Sequence, residues 1–217
     1  MADPLDFATA LGSKSPIKPG QTLWLRAGIY VGAFTAALTG TADQPITIRP
    51  YPGEKAKLDC TAGQTLQNVD VQGAYTHWRD LEITCTGADR TKPFGAALSV
   101  YAPGSKFINL WVHDTGGGIY VWTPAIDAEV YGCLIQRVGY QGPAPDRGHG
   151  HGIYTQNDTG TKRFENNVIF DVYGWGFHAY TEGGYIKGFT LEGNTIFNSG
   201  SSARQPDANN NILVGGL

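Results

Sequence analysis

The sequence predicts an all-β chain wound as a single-stranded right-handed parallel β-helix, a solenoid, with a short capping helix at its N-terminal end. Three observations carry this expectation. Segments of similar pattern recur at intervals of 23 to 35 residues. Each segment holds two short runs of Val, Ile, Phe, Tyr and Thr separated by Gly-rich turns, which is strand composition. No stretch of helical periodicity separates successive segments, so a strand–helix–strand unit with a covering helix is not expected. Glycine supplies 30 of 217 residues without a Gly-X-Y period, as many tight turns would require.

Taken in order, Asp6–Leu11 reads as a short amphipathic helix with Asp6 near its N-cap. Placed in an N-terminal cap over residues 1–20, it would cover the open end of the coil, where an exposed sheet end invites aggregation. Thr22–Arg26 and Ile46–Arg49 alternate as strands, and Lys18–Gln21 and Tyr51–Gly53 are turns. The repeated segments begin at Asp80, Asn109, Gly132, Asn167 and Asn194. Their alignment puts Val112, Ile135, Phe170 and Phe197 in one inward apolar ladder, and Ile119, Ile153, Phe177 and Ile212 in another. Asn109, Asn167 and Asn194 recur at one turn, where stacked amides bond to each other and tolerate left-handed backbone. No domain boundary interrupts residues 1–217, so one β-helix domain is expected. Asn211–Leu217 ends inside a strand pattern without a cap. The expectation is either a fragment of a longer solenoid or a last coil covered by self-association.

Composition narrows the function classes. Lys and Arg number 16 against 19 Asp and Glu, a net charge of −3, which excludes a basic nucleic-acid binder. Hydrophobic residues at 41% and aromatic residues at 12% are ample for a core and exclude a disordered acidic tail. No apolar run approaches the ~18 residues of a membrane span. Three cysteines, Cys60, Cys85 and Cys133, are an odd number and read as small buried apolar side chains. Met1–Pro4 shows neither the basic nor the apolar region of a signal peptide.

Lys18–Tyr30 (KPGQTLWLRAGIY) followed by Gly40–Arg49 (GTADQPITIR) resembles the opening of right-handed β-helix proteins of the pectate-lyase-like superfamily, most closely the chondroitinase B and alginate lyase branch. The resemblance extends loosely through the repeats. It implies an acidic polysaccharide as substrate, β-elimination as reaction, calcium as a cofactor in some members, and a secreted or periplasmic location. In that branch a Lys and an Arg on adjacent coils do the chemistry, and no Lys/Arg pair of this sequence matches that motif.

The candidate site therefore comes from the residues. If Ile119, Ile153 and Phe177 point inward, Tyr120, Tyr154 and His178 point outward, one coil above the next. Two residues on, Trp122, Gln156 and Tyr180 form a second outward column. Such a strip of rings and polar groups suits sugars, which offer an apolar face and hydroxyl edges; the bland alternative is that the rings pack under a loop. The insertion Gln141–His151 brings Arg147, His149 and His151 onto this strip, and loops on a rigid scaffold are where sites sit. On an extended segment His149 and His151 would put two imidazoles on one face, a metal-ligand spacing, but no third ligand accompanies them, and no metal is assigned.

For elimination, Arg147 pairs with the uronate carboxylate, His151 or His178 is the base, and Tyr154 or Tyr180 is the acid. His149 completes the catalytic set, and Tyr120, Trp122, Gln156, Trp175 and Glu182 the substrate-binding set. Lys162, Arg163 and Lys187 read as solvated turn charges. The rival enzyme class is hydrolysis by two carboxylates drawn from Asp114, Asp146, Asp158, Asp171 and Glu182, with Asp171 aligned to His113 and Gln136. A third class is a non-catalytic carbohydrate-binding or structural solenoid.

Overall fold

Strands this short cannot stand alone, and each finds its partners in the equivalent strands of the windings before and after it. In the computed structural model, which describes residues 4–60, 67–181, 184–204 and 209–215, this pairing generates three seven-stranded sheets. Every pairing within them is parallel, and the chain is a right-handed β-helix. Each winding contributes one strand to each sheet, for example Glu129–Tyr131, Leu134–Gln136 and Ile153–Thr155. The sequence repeat suggested two strands per winding. The third is short and flanked closely by its neighbour, so that Lys106–Ile108 and Trp111–His113 read as one run.

The helix is Phe7–Leu11, and Asp6 caps it by accepting the Thr9 N–H at 2.9 Å. Phe7, Ala10 and Leu11 turn into the core, with the Phe7 ring 5.0 Å from Tyr30 and 4.8 Å from Phe34. The first winding is thereby sealed, and its inward Leu23 and Leu25 are buried. In the last described winding the equivalent inward residues Leu191, Ile212 and Val214 are 39%, 51% and 53% exposed.

Ile119, Ile153, Phe177 and Ile212 pair in register, as the alternation required. Burying each of the first three contributes roughly 1.5–3 kcal/mol. The second ladder differs by one residue. It runs Val112, Ile135, Ile169 and Ile196, while Phe170 and Phe197 stand on the outer face with their rings stacked 5.1 Å apart. A one-residue slip exchanges the faces of a strand, and Ile-Phe pairs offer an apolar side chain to both. Phe170, not Asp171, therefore lies beside Gln136.

The asparagines divide for the same reason. Asn109 and Asn166 hold left-handed backbone at φ 54° and 56°, where the intervening and following windings have Gly132 and Gly193. Asn167 and Asn194 come one residue later and point inward. The Asn167 amide donates to Asn194 Oδ1 at 2.9 Å and to the Val130 carbonyl at 3.0 Å.

Cys60 and Cys85 form a disulfide rather than packing as free thiols. They follow the paired Asp59 and Thr84, so the bond clips one winding to the next. Cys133 is buried and free, and burial pushes its thiol up to about 12. Among the described residues no helix is long and apolar enough to cross a membrane.

Candidate active site

The third sheet contains Gly117–Val121, Ile153–Thr155 and Phe177–Tyr180 as neighbours. With Ile119, Ile153 and Phe177 inside, Tyr120, Tyr154 and His178 stack on the outer face in direct register. Their rings lie 5.9 Å and 5.1 Å apart in succession. Trp122 and Tyr180 extend the strip, the Trp122 ring 5.4 Å from Tyr154 and the Tyr180 ring 5.2 Å from His178.

The strip is partly roofed. Tyr140–Gln141 and Gly148–His149 pair as an antiparallel ribbon, and the segment they carry holds Arg147 and leads into His151. Between this loop and the sheet lies a cleft of about 760 Å³ lined by Tyr120, Trp122, Arg147, His151, Tyr154, Trp175, His178 and Tyr180, with Thr181 and Leu213. The last two were not expected. Leu213 pairs with His178, so extending the outward ladder by one winding would have found it.

Two expected residues stand elsewhere. Gln156 is 8% exposed beneath the strip, donating its amide to the Tyr154 hydroxyl at 3.3 Å. His149 does not share a face with His151. Gly150 between them has φ 88°, and a Cβ there would sit 2.4 Å from the Gly116 carbonyl oxygen, so the strand alternation breaks at a glycine. His149 instead bonds Asp146 at 2.7 Å and stacks on Tyr140 at 5.0 Å. Glu182 lies outside the described residues.

Arg147 lies over the Trp175 ring, its guanidinium carbon 4.4 Å from the centroid. Its hydrogen bonds go to the Gly148 carbonyl at 3.3 Å and Asn209 Oδ1 at 3.4 Å, and no carboxylate pairs with it among the described residues. The His151 ring is 4.6 Å from His178, with Nε2 3.3 Å from His178 Nδ1. Burial, then the charges of His178 and Arg147, push His151 down to about 3. Burial, then Arg147, pushes His178 down to about 4. Both imidazoles are therefore neutral near pH 7. Burial pushes the Tyr120 phenol up to about 12.

Lys162 is not a solvated turn charge. Its side chain is fully buried, and Nζ donates to the carbonyls of Val121, Trp122 and Gln156 at 3.2, 2.6 and 2.6 Å. Burial pushes it down to about 7, while three carbonyl partners favour the ammonium. It ties together the strand ends that present Trp122 and Gln156. Arg163 and Lys187 are exposed at the surface, as expected.

Of the carboxylates named for a hydrolytic pair, the four aspartates are committed elsewhere. Asp114 is held by Arg90 and Arg137, Asp146 by His149, Asp158 by Lys187, and Asp171 by Asn198. None of these lines the cleft. Calcium, which the resemblance implies, takes six to eight oxygen ligands. The described cleft residues supply no carboxylate, and no described group of three or more His, Cys, Asp or Glu is placed to hold an ion. This donor set does not fit calcium.

No protein-family model matches the chain, and no curated protein matches it in sequence. Its fold is that of polysaccharide-lyase structures. A pectate lyase, Pel9A, superposes with a TM-score of 0.71 at 17% identity, over 91% of this chain and 49% of that one. A mannuronic acid specific polysaccharide family 6 lyase from human gut microbiota gives a TM-score of 0.50 at 14% identity, over 86% of this chain and 55% of that one. The chain thus spans about half the length of the solved lyases it resembles.

Proposed function

We propose that this β-helix takes an acidic, uronate-containing polysaccharide along the outer face of its third sheet and cleaves it by β-elimination. The observation that carries the reading is Arg147: a guanidinium with no carboxylate partner among the described residues, standing over a cleft floored by aromatic rings. The rings suit the apolar faces of sugars, and the guanidinium suits a carboxylate, bidentately.

In the elimination the C5–H bond breaks and its proton passes to a base. The C4–O bond breaks with its electron pair leaving on oxygen, a double bond forms between C4 and C5, and the departing oxygen takes up a proton. Arg147 pairs with the carboxylate and offsets the charge that develops there. Tyr154 is assigned the proton transfer, because it lines the cleft with its hydroxyl oxygen held by the Gln156 amide N–H. Taking the C5 proton and returning it to the leaving oxygen lets one residue close the proton balance.

Hydrolysis by paired carboxylates is disfavoured by the commitments of Asp114, Asp146, Asp158 and Asp171. The Cys60–Cys85 disulfide fits an oxidising, secreted or periplasmic setting.

The test is a panel of pectate, alginate, glucuronan and chondroitin followed by ultraviolet absorbance and reducing ends, with calcium added or chelated. Elimination raises both signals on at least one polymer. Reducing ends without absorbance would replace elimination by hydrolysis, and binding without either would leave a carbohydrate-binding solenoid.

A further inference from the structure

The hydrogen bonds through the two cleft histidines fix where each ring carries its proton. A backbone N–H can only donate, so the Trp175 N–H, 3.3 Å from His151 Nδ1, makes that nitrogen an acceptor. Neutral His151 then carries its proton on Nε2, which donates to His178 Nδ1 at 3.3 Å. Accepting there, neutral His178 carries its own proton on Nε2. That atom is buried and has no hydrogen-bond partner among the described residues, and the same holds for Nε1 of Trp175.

An unmet buried donor is costly, and two in one wall call for an acceptor. The Trp175 and His178 rings are 4.7 Å apart, and Arg147 lies on the Trp175 ring. All three groups donate, and no described carboxylate lines the cleft to satisfy them. We infer that the His178 Nε2–H, the Trp175 indole N–H and the Arg147 guanidinium form a receptor for the uronate carboxylate, with His151 as the positioning residue that locks the His178 tautomer. The ligand's identity rests on the polyuronate reading; the tautomers do not.

The receptor reverses a role expected from residue type. His178 has no free lone pair to serve as a base; it is a donor. Arg147 packs on the Trp175 ring and Tyr180 beside the His178 ring, and a carboxylate that draws both side chains aside reaches the two N–H groups. As the C5 proton leaves, negative charge grows on that carboxylate, so the donors act most strongly in the transition state. The low protonation ranges of both rings keep them neutral, as this arrangement needs.

Two measurements test the receptor. Long-range proton–nitrogen NMR of the histidine side chains should show both cleft rings protonated at Nε2, with neither titrating near 6.5. A proton on His178 Nδ1, or titration at the ordinary value, overturns the assignment. Calorimetric binding of trigalacturonate and trimannuronate, each beside its carboxyl-reduced neutral form, reads the donors directly. His178→Ala should weaken the better acidic trimer about tenfold, and His178→Gln, which keeps an N–H, should stay within about threefold of wild type. Trp175→Phe should fall between them, and the neutral forms should bind weakly to every variant. A Gln variant as weak as Ala, or neutral trimers binding as well as acidic ones, overturns the receptor. Binding of acidic trimers without unsaturated product keeps the receptor and removes only the lyase reading.

Discussion

Two clefts on this coil both present arginine and histidine and differ in what those residues touch. The smaller, about 310 Å³, lies beside the Cys60–Cys85 clip and is lined by Lys57, Arg90, His113, Asp114 and Arg137, among others. There the charges are matched. Asp114 takes Arg90 at 2.6 Å, Arg137 at 2.7 Å and His113 at 2.7 Å, and Lys57 meets Glu82 at 3.0 Å. In the larger cleft Arg147 meets no described carboxylate, and His178 Nε2 and Trp175 Nε1 have no hydrogen-bond partner among the described residues. Arg and His in a cleft are thus not in themselves a site. A closed network stabilises the coil, whereas open donors keep binding capacity for a ligand.

The sharpest way to break the comparison is to remove one arginine from each cleft. Arg147→Ala should lower kcat/KM on the responsive polymer by about 10²–10³-fold. Arg137→Ala, at a side chain 62% exposed, should leave kcat/KM unchanged and cost less than about 1 kcal/mol. Equal losses of activity would dissolve the distinction. Opening the clip with Cys60→Ser and Cys85→Ser together should cost about 3 kcal/mol in urea unfolding, because a loop spanning 25 positions is released, with kcat/KM preserved.

Asp114→Asn should cost about 2 kcal/mol, since it leaves two guanidiniums and an imidazole short of their shared partner. The clefts should also fail at different pH. His178 and His151 have folded values near 4 and 3, below the ordinary 6.5, so the unfolded chain binds more protons between those limits. Stability from the larger cleft therefore falls as pH drops from about 6.5 toward 4. Burial raises Asp114, but bonds from His113 and Arg137 bring it below 3.8, so its contribution is lost only as pH falls further. Unfolding of wild type and His178→Gln across this range should show the variant flatter between pH 4 and 6.5; parallel curves would contradict the assignment.

Much of the coil was legible because strict alternation carries its own register. Ile119, Ile153 and Phe177 each stand between a glycine and a Tyr or His, and the outward Tyr120, Tyr154 and His178 followed from them. Ile169-Phe170 and Ile196-Phe197 are apolar on both faces, and Asn166-Asn167 is doubled, so there the pattern permits a slip. The disulfide was hidden by the odd cysteine count, although the separation of 25 is one winding and was the available signal. Lys162 was illegible locally, since one of its partners, Val121, lies 41 residues away. His149 misled because the alternation argument assumed an extended Gly150, which is left-handed instead.

The most direct test is a crystal structure of the protein with trigalacturonate or trimannuronate. A uronate carboxylate within hydrogen-bonding distance of the Arg147 guanidinium, its ring against the Tyr120–Tyr154 strip, is the predicted result. Sugar seated in the smaller cleft or on another sheet, with Arg147 still lying on Trp175, would contradict it.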